Sequence, residues 1–159
     1  MGEQHTATGE AATEVILATF RANGLLVSAG DLLAAGEGLT SARWQALGAV
    51  ALAQRALTVP QIARRMGLTR QSVHATIHRL VADGLVESTP NADHQRSPLI
   101  RLTRHGEARY RAMQRRQSAW VNALADGLST ADLATAARVL TDLCRRLEAG
   151  RTEGDDSDG

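Results

Sequence analysis

The chain has 159 residues, room for one domain with a modest core. Its 18 basic residues are all arginine and stand against 17 acids, a net charge of +1, so overall charge selects no partner. The opening MGEQHTATGE lacks the basic-then-apolar order of a secretory signal, and no apolar run is read as reaching membrane-span length. A cytoplasmic protein without a membrane partner is expected, and the single cysteine, Cys144, which can form no internal disulfide, fits a reducing compartment.

In chain order, residues 1–10 are polar and expected to be disordered. Residues 11–57 hold an apolar helix and its successor. The first carries Val15, Phe20, Leu25, Leu26, Val27, Leu32 and Leu33, weakened by Gly24 and Gly30. After a Gly-Glu-Gly break, Thr40 caps the second, which carries Trp44, Leu47, Val50 and Leu52. Residues 58–103 change character. Thr58 and Gln61 form a capping-box pair around Pro60, Gly67 ends that helix, and Thr69 starts the next after about three residues. In this next helix Val73, Ile77, Leu80 and Val81 are expected to face a core, with Arg70, Gln71, His74 and His78 opposite and Gly84 at its end.

The period then shortens. Leu85 to Glu87 and Leu99 to Leu102 read as two short strands, with TPNADHQRSP between them far too polar to bury. Two helices, a tight turn and a hairpin make a winged helix-turn-helix. Residues 104–149 give a helix capped by Thr103 and ended by Gly127, then one capped by Ser129 with Leu133, Ala137, Leu140, Cys144 and Leu147 on a face. Residues 150–159 are acidic and expected to be disordered. The fold class is mostly α with a small β-hairpin wing: a DNA-binding lobe plus N- and C-terminal helices forming a dimerisation lobe.

Divided along the chain, the charge becomes informative. Residues 58–104 hold seven arginines against Asp83, Glu87 and Asp93, giving +4, whereas residues 1–57 carry −2 and residues 105–159 carry −1. Positive charge on the reading module is what a surface that follows phosphates requires. Arg70, Gln71, Ser72, His74 and His78 are therefore the candidate major-groove contacts, Arg96 the minor-groove contact, and Thr69, Arg64, Arg65 and Arg101 the phosphate contacts. A homodimer would place two such helices about one DNA turn apart, on a pseudo-palindromic operator.

The order LTSARWQALGAVAL, TVPQIARRMGLTRQSVHATIHRLVADGLVE and ADHQRSPLIRLTRHG resembles the MarR family of transcription regulators over about Leu39–Gly106. The family's wing typically reads D-x-R-S or D-D-R-R-S before L-T-x-x-G. Here Asp93, Arg96, Ser97, Leu102, Thr103 and Gly106 take those places, with His94-Gln95 where an acid and a base are commoner. The resemblance implies a DNA-binding regulator, most often a repressor, dimeric through its terminal helices. It also implies that Asp93 orients the wing and that Arg96 enters the minor groove. It further implies release of DNA by a small aromatic or phenolic effector. Arg43 and Trp44 offer such a ligand a charge and a stacking face, the alternative being that Trp44 packs in the core and Arg43 is solvated.

No Gly-rich phosphate loop is present, and His74 and His78 at i, i+4 lack further ligands at H-E-x-x-H spacing, so neither cofactor nor metal is expected. No nucleophile, base and orienter occur together, so no enzyme is expected either. Two other readings stay open: a winged-helix protein-interaction module without DNA binding, and an oxidant-sensing regulator using Cys144.

Overall fold

Threonine hydroxyls start four of the six described helices. Thr6, Thr40 and Thr69 each accept the backbone N–H three residues on, at 3.0, 3.3 and 3.2 Å, and Thr103 does the same for Gly106 at 3.0 Å. The computed structural model describes residues 5–155, the last five through their backbone only. Its elements are α1 (Ala7–Ala35), α2 (Ser41–Ala53), α3 (Val59–Met66), α4 (Arg70–Ala82), β1 (Val86–Thr89), β2 (Leu99–Leu102), α5 (Arg104–Leu124) and α6 (Thr130–Asp155).

Both chain ends depart from expectation. Helix α1 starts at Ala7, four residues inside the segment read as disordered, because Thr6 caps it and Glu10 sits favourably in its first turn. Helix α6 runs on to Asp155, beyond the expected end at residue 149. The remaining parts of those two expectations, residues 1–4 and 156–159, lie outside the described residues.

The chain divides into a unit up to Ser118 and a unit from Ala119. The first unit's core is built from Leu39, Leu47, Val50, Leu57, Ile62, Val73, Ile77, Leu80, Leu85, Val86, Ile100 and Met113, with Trp44, Met66, Leu102 and Tyr110 packed against it. β1 and β2 pair antiparallel in the register Val86↔Leu102 through Thr89↔Leu99. Leu57, just before α3, adds a bridge to Ile100 through two backbone bonds of 3.0 and 2.7 Å, tying the wing to the helix-turn-helix. Glu37, between α1 and α2, receives Arg109 and Arg116 of α5 at 3.3 and 3.2 Å.

Large apolar side chains remain uncovered in each unit. On α1, Leu17, Phe20 and Leu32 are 62, 72 and 81% exposed, and on α6 Leu133, Leu140 and Leu147 are exposed. By length and composition α1 is apolar enough to cross a membrane, with a mean hydropathy of 1.2 over an 18-residue window of which 6% is buried. The expectation that no segment reaches that length is corrected, and three of the helix's polar side chains, Thr13, Thr19 and Ser28, donate to carbonyls four residues earlier. Cys144, on α6, is exposed within the single chain.

Candidate nucleic-acid interface

The α3–α4 turn is closed by backbone chemistry. Gly67 takes φ +64°, and the Leu68 N–H reaches back to the Ala63 carbonyl at 3.0 Å. Gly84, φ +66°, ends α4 in the same way, with the Leu85 N–H on the Leu80 carbonyl at 2.9 Å. Leu85 is thereby buried and the chain turns directly into β1. Leu68, which follows the turn, stays 45% exposed.

Val73, Ile77 and Leu80 seat α4 in the core, at 0, 4 and 0% exposure. Val81 does not join them: it is 42% exposed, correcting the expected core face. At about 100° per residue it lies roughly 20° from Arg70 on the helix circumference, on the outward arc.

That arc faces the wing across a cleft of about 590 Å³. Its apolar side includes Val59, Pro60, Val81 and Pro98, and its polar groups are Arg70, Gln71, His74, His78, Ser88, Arg96 and Ser97. The fold therefore brings together five of the predicted contacts, four from α4 and Arg96 from the wing, separated by up to 26 positions in sequence. Guanidinium groups on both walls of a groove, with amide and imidazole groups between, suit a polyanion with hydrogen-bonding edges.

The other candidates stand apart from this cleft. Thr69 caps α4, its hydroxyl occupied by the Ser72 N–H. Ser72 is exposed and accepts Thr76 Oγ1 at its carbonyl, 3.2 Å away. Arg64 and Arg65 are exposed on the last turn of α3, where they complement the helix dipole. Arg101 is held across the hairpin by Glu87 at 2.8 Å, so a phosphate would have to compete for it.

Arg43 and Trp44 are also engaged. Arg43 forms an ion pair with Asp83 at the C-terminus of α4 and donates Nη1 to the Gly38 carbonyl at 3.3 Å, with its side chain 17% exposed and its Nε buried without a partner. Trp44 is half-buried against the core. Both side chains thus follow the packing alternative more closely than the ligand-facing one, although Arg43 is ion-paired rather than solvated.

In the wing, Asp93 participates through its backbone: its N–H donates to Asn91 Oδ1 at 3.1 Å. Among the described residues its carboxylate has no ion pair or hydrogen bond. Asn91 was missed by the sequence reading. An Asn two residues before an Asp in a turn-rich tip is a recognisable Asx-turn signal, whereas its burial is not readable from sequence.

A helix-turn-helix whose second helix shares an arginine-walled cleft with a β-hairpin defines a winged-helix DNA-binding protein. A MarR-family sequence profile matches residues 37–97. An uncharacterised protein of Mycobacterium tuberculosis is 43% identical over 132 residues, which span 83% of this chain and 91% of the relative. The chain belongs to the MarR family of transcription regulators. The fold is shared with the M. tuberculosis transcriptional regulator MOSR in complex with DNA, at TM-score 0.69 and 24% identity over 86% of this chain and 97% of that one. It is likewise shared with CouR of Rhodococcus jostii bound to p-coumaroyl-CoA, at TM-score 0.71 and 19% identity over 78% and 87%.

Proposed function

We propose that this chain is a cytoplasmic, homodimeric repressor that binds a pseudo-palindromic operator and is released by a small aromatic effector. The observation that carries the reading is the cleft between α4 and the wing, where Arg70, Gln71, His74 and His78 face Arg96. In this reading the recognition helix enters the major groove and reads base edges through Arg70, Gln71, Ser72, His74 and His78. Arg96 enters the adjoining minor groove, drawn by its negative potential. Thr69, Arg64, Arg65 and Arg101 hold phosphates, the last by exchanging Glu87 for the backbone.

The dimer is supported by the exposed apolar side chains of α1 and α6, which a second copy would cover. With that covering, α1 is an association surface rather than a membrane span. Repression follows from occupancy, since a dimer seated on an operator that overlaps a promoter excludes polymerase. The effector reading is supported by the p-coumaroyl-CoA held by CouR. Such a ligand acts only through tighter binding to the DNA-incompetent arrangement.

Selection from a random duplex library, followed by titration of the winner against salt, tests the reading. A pseudo-palindromic winner bound by a dimer, with affinity falling steeply as salt rises, is expected. Failure to enrich any sequence would return the fold to a protein-docking role.

A further inference from the structure

The wing tip contains one buried polar side chain, Asn91, 8% exposed in a segment otherwise open to solvent. Its amide closes the loop from both directions. Nδ2 donates to the Ser97 carbonyl at 2.9 Å, and Oδ1 accepts the Asp93 N–H at 3.1 Å. The Ser97 N–H meanwhile donates to the His94 carbonyl at 2.9 Å, so the backbone on either side of Arg96 is pinned within the tip. Arg96 itself, among the described residues, makes no ion pair or hydrogen bond through its side chain, and neither does Asp93. Its placement on the cleft wall is thus inherited from the main chain, and among the described residues Asn91 is the only side chain hydrogen-bonded to the backbone of residues 93–97.

The geometry points to Asn91 as the positioning residue for Arg96 in operator binding, acting through the Ser97 carbonyl; this rests on the reading that Arg96 contacts DNA. Only a side chain with donor and acceptor on one short amide meets both demands. Aspartate would set a carboxylate against the Ser97 carbonyl. Serine retains an acceptor for the Asp93 N–H but is too short to carry a donor to Ser97. Because a guanidinium entering a minor groove is guided by shape, an unpinned tip reduces the fraction of wings already aimed at the groove, and affinity falls by that fraction.

The test is a double-mutant cycle on the full-length protein with the selected duplex, using N91A, N91S and R96A, with unfolding midpoints recorded for each. R96A alone examines the premise: unchanged affinity would overturn it, and the inference with it. If R96A weakens binding, N91A and N91S are each expected to weaken it about 3- to 10-fold in the wild-type background, the scale of one lost hydrogen bond. In the R96A background each is expected to have almost no effect. Unchanged base preference and near-unchanged unfolding midpoints accompany that result, because the tip contributes little to the core. The same fold-loss in both backgrounds, or wild-type affinity in N91A, would overturn the assignment.

Discussion

Gly106→Ala is expected to destabilise the DNA-binding unit, although replacing a helical glycine by alanine ordinarily does the reverse. Gly106 lies in the first turn of α5, against the end of α4's turn into the wing. A Cβ there would overlap the Leu85 carbonyl oxygen and stand 2.9 Å from its carbon, well short of the roughly 3.5 Å of ordinary contact. The obstacle is backbone, and it is fixed: the same carbonyl accepts the Thr103 N–H at 3.1 Å and Thr103 Oγ1 at 3.3 Å, while Thr103 Oγ1 also donates to the Gly84 carbonyl at 2.7 Å. Overpacking of this kind costs about 1–3 kcal/mol, and each hydrogen bond opened adds about 0.5–1.5 kcal/mol. The entropy gained by removing glycine offsets only about 0.5–1 kcal/mol.

The net expectation is a loss of roughly 1–4 kcal/mol, a sizeable share of a typical domain's stability of about 5–15 kcal/mol. Gly48→Ala provides the internal control. In α2 its Cβ would meet the Tyr110 ring at 3.5 Å, an ordinary contact, so it should stabilise by about 0.5–1 kcal/mol. Urea unfolding followed by circular dichroism, at one fixed protein concentration, measures both. A Gly106→Ala protein as stable as the parent, or the same sign for both substitutions, would refute the reasoning.

Arg70→Ala and Gln71→Ala are each expected to cost about 1–3 kcal/mol in operator binding and to relax one operator position; a base-preference profile unaltered by either would mean that α4 presents another face. Asp83→Ala should destabilise the fold more than Arg101→Ala, because Arg43 is largely buried and already carries one unpaired nitrogen, whereas the Arg101–Glu87 pair is exposed and worth about 0–1 kcal/mol; equal unfolding midpoints would contradict this. Phe20→Glu, on the uncovered surface of α1, should convert a dimer to monomers in sedimentation velocity and lower operator affinity with it; a dimer that survives places the interface elsewhere.

What the sequence by itself determined is local chemistry. Threonine caps at positions 40, 69 and 103, the left-handed glycines at 67 and 84, and the change from helical to two-residue period after Gly84 each depend on neighbours within about five positions, so their outcome was legible. The arc of Arg70, Gln71, His74 and His78 was legible for the same reason. Val81 was not, because periodicity locates the centre of an apolar face but not its edge, and the edge is set by where the wing leaves a cleft. Arg43 was read as a ligand's partner or a solvated charge, yet its partner is Asp83, forty residues away, and no spacing rule encodes that pairing. In the wing, the burial of Asn91 and its two hydrogen bonds within the tip depend on how the loop closes, which no spacing encodes. The apolar length of α1 is equally compatible with lipid and with protein as its cover; composition measures only how much surface must leave water, and a tertiary or quaternary partner decides where it goes.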